Sequence, residues 1–94
     1  ELPKGTFGAV FARSGLATKS DLAPANKVGV VDSPYRGEVM VALHNHGEEY
    51  REVSNGERIA QLVVMPYVMA EMVWTDELSD TNRGSGGFGS TGMN

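Results

Sequence analysis

The alternation of apolar and polar positions along the chain predicts short β-strands and little else. Gly5–Ala12 alternates, with Phe7, Ala9 and Phe11 on one face and Gly8, Val10 and Ala12 on the other. Val28–Val31 and Val39–Leu43 are runs rich in β-branched residues that flank Ser33-Pro34-Tyr35-Arg36-Gly37, which predicts a β-hairpin over Val28–Leu43. His44–Gly47 closes its second strand. Glu48–Val53 predicts a short strand ended by Ser54-Asn55-Gly56, a tight-turn signal. The second half of Glu57–Met65 is apolar on both faces, which predicts a buried central strand stopped by Pro66. Tyr67–Trp74 predicts a last strand, with Met65, Met69 and Met72 as core filler. Ser20-Asp21 is placed to cap a helical turn, but Pro24 stops anything longer. About six short strands with regular turn signals predict an all-β fold, an antiparallel sandwich, jelly roll or barrel.

The pattern changes at Leu78. Ser79–Asn94 reads SDTNRGSGGFGSTGMN, with five glycines in sixteen residues. Such a segment cannot pack a core and by itself is expected to be flexible. The chain therefore divides into a β-rich core, 1–78, and a C-terminal arm, 79–94. The chain has 94 residues, 40% of them hydrophobic, with 12 glycines. A single domain of this size folds alone only marginally, so oligomerisation is expected. Twelve acidic residues against eight basic give a formal charge of −4, which argues against non-specific nucleic-acid binding. Cysteine is absent, so disulfides and thiolate metal sites are excluded. No apolar run approaches the ~20 residues of a membrane span. The N-terminus lacks the pattern of a secretory leader, so a cytoplasmic, nuclear or viral setting is expected rather than secretion. A strand begins almost at once, and residues are expected to be missing upstream.

Candidate chemistry concentrates in four places. The hairpin mouth carries Asp32, Tyr35, Arg36 and Glu38 within seven residues; taken locally, these read as an ordinary solvated turn. Arg13-Ser14-Gly15 has the composition of an anion-binding nest, though most such triplets are turns. Gln61 sits among Ala60, Leu62 and Val63, and a buried glutamine must be hydrogen-bonded or costs roughly 1–3 kcal/mol; internal pairing is expected. Arg58 stands out beside it. The arm combines Arg83, Ser90 and Thr91 with glycines able to wrap a phosphate chain, and Phe88, which has no core to join and could stack on a base. His44 and His46 share one side of a strand, but without a further His or any Cys they read as a solvated pair.

Four segments together resemble motifs of the trimeric dUTP diphosphatase (dUTPase) family: Arg13–Ala17 (RSGLA), Gly29–Glu38 (GVVDSPYRGE), Gly56–Leu62 (GERIAQL) and Arg83–Gly92 (RGSGGFGSTG). They occur in the family's order and at fitting spacings over about the whole chain. The first family motif, an Ala-Gly-Tyr-Asp-like segment upstream, is absent. Pro34 stands where the family often has an acid, Phe11-Ala12 precede Arg13 where a proline is common, and the Lys19–Lys27 connection is slightly longer than usual.

The resemblance implies a jelly-roll-like, homotrimeric, all-β protein that hydrolyses dUTP to dUMP and pyrophosphate with Mg²⁺, in sites shared between three subunits. It implies that Asp32 is the general base. Tyr35 would pack on the deoxyribose and reject a 2′-hydroxyl, and backbone around Gly29 and Met40 would pair with the uracil edge. Val30 and Val31 would narrow the slot against thymine. Arg13, Ser14, Gly15 and Gln61 would hold phosphate oxygens. Arg83, Ser90 and Thr91 would clamp the γ-phosphate, Gly87 would lie in the wrapping segment and Phe88 would cover the base. The magnesium would sit on the triphosphate and water rather than on protein ligands. Two other readings belong to the same fold: a non-catalytic nucleotide-binding or regulatory module, and a dCTP deaminase, against which the Phe88 arm argues.

Overall fold

Strand β1 (Thr6–Phe11) is the strand on which the chain builds. The structure, a computed structural model, describes residues 1–89. β1 is followed by a short helix, α1 (Ser14–Lys19), then β2 (Leu22–Pro24), β3 (Gly29–Asp32), β4 (Leu43–Asn45) and β5 (Gln61–Pro66). All pairings are antiparallel: one sheet has the order β3-β1-β5 and a second pairs β2 with β4. The all-β, antiparallel expectation holds.

The predicted hairpin is different. β3 pairs with β1, not with the residues beyond the turn, and β4 pairs with β2. Residues 33–42 form an excursion between two sheets, because each run has an earlier strand as its partner. β5 is also not central. It is an edge strand, and Leu62, Val63 and Val64 are exposed along it. The predicted strands Glu48–Val53 and Tyr67–Trp74 form no ladder among the described residues. The Asn55-Gly56 turn does form: Glu57 N–H donates to Ser54 O at 3.1 Å, and Gly56 has φ +91°. Met65 is half-buried, whereas Met69 and Met72 are exposed and fill no core within this chain.

Ser14–Lys19 forms helix α1, with Arg13 at its N-cap, where the Arg13-Ser14-Gly15 triplet reads as a nest or turn. Thr18 Oγ1 bonds back to Ser14 O at 2.7 Å, and Lys19 sits in the last turn, where the helix dipole favours a cation. Ser20 and Asp21 end this helix instead of starting one: Ser20 N–H donates to Leu16 O, and Asp21 takes the left-handed conformation with φ +58°, a region aspartate tolerates better than most residues.

The core is small. Ala9, Val10 and Leu22 are its buried hydrophobic residues among those described. The radius of gyration is 19.0 Å, against about 12 Å for a compact chain of this length. The accessible surface is 8387 Å², against about 5300 Å² expected of a folded monomer of this mass. Val68, Met69, Met72, Val73, Trp74 and Leu78 all lie open to solvent. Among the described residues no helix is long and apolar enough to cross a membrane.

Candidate functional site: a two-part nucleotide site

β1 carries one half of the site at each end. Near its start, Phe7 pairs with Asp32, the last residue of β3. The chain then turns, with Tyr35 N–H donating to Asp32 O at 3.1 Å. Arg36 Nη1 donates to Ser33 O at 2.8 Å and to Tyr35 O at 3.1 Å, and the Tyr35 hydroxyl donates to Glu38 O at 2.7 Å. The loop is therefore held by its own hydrogen bonds. The result is a cleft of about 300 Å³ walled by Val31, Asp32, Tyr35, Gly37 and Val39, with Glu1, Leu2, Arg36 and Leu62 at its margin. A second, adjoining cleft shares Val31, Asp32, Tyr35 and Val39 and adds Val30 and Met40. Together they offer the Asp32 carboxylate, the Tyr35 ring, aliphatic walls and an exposed Arg36–Glu1 ion pair at 3.6 Å, a lining suited to a flat organic ring and a sugar.

Beyond the other end of β1, a shallow polar depression is lined by Arg13, Ser14, Gly15, Leu16, Arg58 and Gln61. Gln61 opens β5 opposite Phe11, and its Nε2 donates to Ala12 O at 2.8 Å, so the expected internal pairing is found although the residue is exposed. Ser14 and Gly15 occupy the first turn of α1, where backbone N–H groups have no intrahelical acceptor. No carboxylate lines this depression, and two guanidiniums do. Arg58, three residues before Gln61 and just ahead of β5, is the residue whose role sequence reasoning left unassigned; its charge within a largely apolar run was the available signal.

Asp32 and Gln61 stand well apart within one chain, and an open, mainly apolar depression shares Val39 and Leu62 with the cleft and Arg13 and Arg58 with the floor. Asp32 pairs with Phe7 and Gln61 with Phe11, on opposite sides of β1. Four strand residues and two strand spacings put their Cα atoms about 17 Å apart. Gly29 lies opposite Val10, one position from Phe11 and so nearer the floor end of β1. The described part of the arm stands apart from both halves: Arg83 Nε donates to Gly86 O at 2.7 Å within its own turn, Gly87 has open space around it and Phe88 is fully exposed. Ser90 and Thr91 lie outside the described residues. His46 Nε2 lies 3.4 Å from Asp21 Oδ1, and the His44 and His46 rings are 6.4 Å apart. Among the described residues no three His, Asp or Glu side chains gather to a metal-sized cluster.

Known proteins resemble this chain in sequence and fold. The chain is 56% identical to the deoxyuridine 5'-triphosphate nucleotidohydrolase of Desulfitobacterium hafniense over 94 residues, 99% of this chain and 62% of that protein. It is 50% identical over 93 residues to the protein of the same name from Gloeothece citriformis, covering 99% of this chain and 64% of that one. It thus spans less than two thirds of the length of these curated relatives. The structure of the Staphylococcus bacteriophage 80alpha dUTPase with dUpNHpp superposes with a TM-score of 0.83 at 28% identity, covering 98% of this chain and 70% of that one. The dUTPase family profile matches residues 1–92, a span that takes in both halves of the site and most of the arm, and the chain belongs to the dUTPase family.

Proposed function

We propose that this chain hydrolyses dUTP to dUMP and pyrophosphate, in sites assembled from several copies of itself. One observation carries the reading: a family member that presents an acid-bearing aromatic cleft at one end of β1 and an acid-free, doubly cationic floor at the other. The first is fitted to a deoxynucleoside, the second to a polyphosphate.

In the reaction a water attacks the α-phosphorus, Asp32 accepts its proton, and the bond from the α-phosphorus to the α–β bridging oxygen breaks. Water is consumed, and dUMP, pyrophosphate and a proton are produced. Positioning and charge stabilisation account for most of the acceleration in phosphoryl transfer. Arg13, Arg58 and the first-turn N–H groups at Ser14 and Gly15 supply both on the floor, with Gln61 beside them. Tyr35 stacks on the deoxyribose and leaves no room for a 2′-hydroxyl. Backbone at Gly29 and Met40 reads the uracil edge, and Val30 and Val31 form the wall. The arm, 79–94, closes over the nucleotide, bringing Arg83, Gly87 and Phe88 with Ser90 and Thr91. Magnesium would ride on the triphosphate, since the described residues offer it no cage, and would offset phosphate charge.

With Asp32 and Gln61 of one chain about 17 Å apart, in the proposed site the cleft of one copy faces the floor of another. The family resemblance makes the assembly a homotrimer. The exposed apolar residues of 62–64 and 68–74 supply surface for it.

The test is direct. The full-length protein should release pyrophosphate from dUTP, and Asp32→Asn should lose about 10²–10⁴-fold in kcat while binding the nucleotide undiminished by calorimetry. Turnover retained by Asp32→Asn would remove the base assignment.

A further inference from the structure

Gly37 is a glycine without a conformational reason to be one. The described glycines with positive φ are Gly5, Gly56, Gly84 and Gly89; Gly37 is not among them, so its backbone is open to other residues. What excludes a side chain is contact. A Cβ built at Gly37 would collide with the Tyr35 hydroxyl and lie 2.6 Å from Cζ and 2.8 Å from Cε1. Real Cβ atoms do not approach this closely. The ring of Tyr35 thus lies directly over the Gly37 backbone, and its hydroxyl reaches past to Glu38 O at 2.7 Å.

The ring cannot shift a little to make room. It is tethered at its tip by that hydrogen bond and at its base by the turn bond from Tyr35 N–H to Asp32 O. Arg36 braces the same loop through Ser33 O and Tyr35 O. A methyl group at position 37 must push the ring off Glu38 and toward solvent or into the cleft that both residues line.

We infer that Gly37 is a positioning residue for sugar selection: its missing side chain lets Tyr35 lie down over the chain, and this fixes the surface on which the sugar rests. The inference rests on the nucleotide reading above and adds to it the element that sets the ring's angle. Shape-based rejection depends on a wall that does not yield, and a misplacement of 1 Å in a positioned group can cost on the order of 10²-fold.

The experiment compares kcat/KM for dUTP and UTP in the full-length protein and in Gly37→Ala, Tyr35→Ala and the double variant. Gly37→Ala should lower the preference for dUTP over UTP by about 10- to 100-fold. In the Tyr35→Ala background the same substitution should change the preference little, because no ring remains to be displaced. A preference unchanged by Gly37→Ala, or lowered equally in both backgrounds, overturns the inference. If Gly37→Ala fails to fold, the double variant should fold; a double variant that also fails overturns it as well. Absence of dUTP turnover in the unsubstituted protein would instead remove the earlier functional reading, and the coupling of positions 35 and 37 would then be read from melting temperatures alone.

Discussion

Gln61 shows how much one side chain can tie together. Its Nε2 donates to the carbonyl of Ala12, immediately before Arg13, so the start of β5, just after Arg58, and the start of α1, which Arg13 caps, keep a fixed relation. The sequence announced that a glutamine amid apolar residues needed a partner; it did not say that the partner would be the backbone beside the other floor residue. Arg58 is the sharper case. Arg58 lies three positions before Gln61, a spacing that in an extended chain gives opposite faces, yet the structure brings it to the depression with Arg13. A charge-assisted contact to phosphate contributes about 1.5–3 kcal/mol. Arg58→Ala should therefore raise KM for dUTP roughly 10- to 100-fold, with a smaller change in kcat. Steady-state kinetics checks this, and an unaltered KM would take Arg58 off the floor. Chemical crowding in one turn drew notice to Asp32 and Tyr35, which locally read as a solvated turn and take their roles from the family resemblance; the fold of the ring over Gly37 depends on contacts that no residue pattern encodes.

At the scale of elements, strands were legible where their alternation was clean and their partner lay within the chain. β1 and β3 match the reading closely. The misplacements share one physical cause. A run apolar on both faces signals burial, but does not say by what. Gln61–Pro66 and Tyr67–Trp74 carry that signal, yet in this chain the first is an edge strand and the second, beyond the Tyr67 N–H bond to Gly5 O at 3.2 Å, forms no ladder among the described residues. Helix α1 was missed for another reason: Ser14-Gly15 looks like a break, and its six residues are too few to show a period. The arm is the element whose role is most separable. It contributes nothing to the buried positions Ala9, Val10 and Leu22. Removing 79–94 should leave the melting temperature within about 2 °C, since surface segments outside the core change stability by less than ~0.5 kcal/mol. It should nonetheless lower kcat/KM for dUTP by about 10²-fold or more, the scale of a lost lid. Full kinetics after truncation would return the arm to a plain tail.

For the whole molecule, the decisive number is the separation of the half-sites. If cleft and floor come from different copies, two inactive variants should repair each other. Asp32→Asn and Arg13→Ala, each nearly inactive alone, should regain measurable dUTP turnover when unfolded together and refolded as a mixture. In mixed assemblies some sites receive an intact cleft from one copy and an intact floor from another. A mixture as inactive as its parts would place the whole site within one chain. The spread-out shape has a last consequence, and it concerns concentration. A chain that leaves Trp74, Met72 and Val68 in water, around the buried side chains Ala9, Val10 and Leu22, buries little apolar surface by itself. In the proposed assembly much of the folding free energy would arrive when copies meet, so folding and association would be one equilibrium. Dilution would then act as a denaturant does, and stability, assembly and sites would rise and fall together with how much of the protein is present.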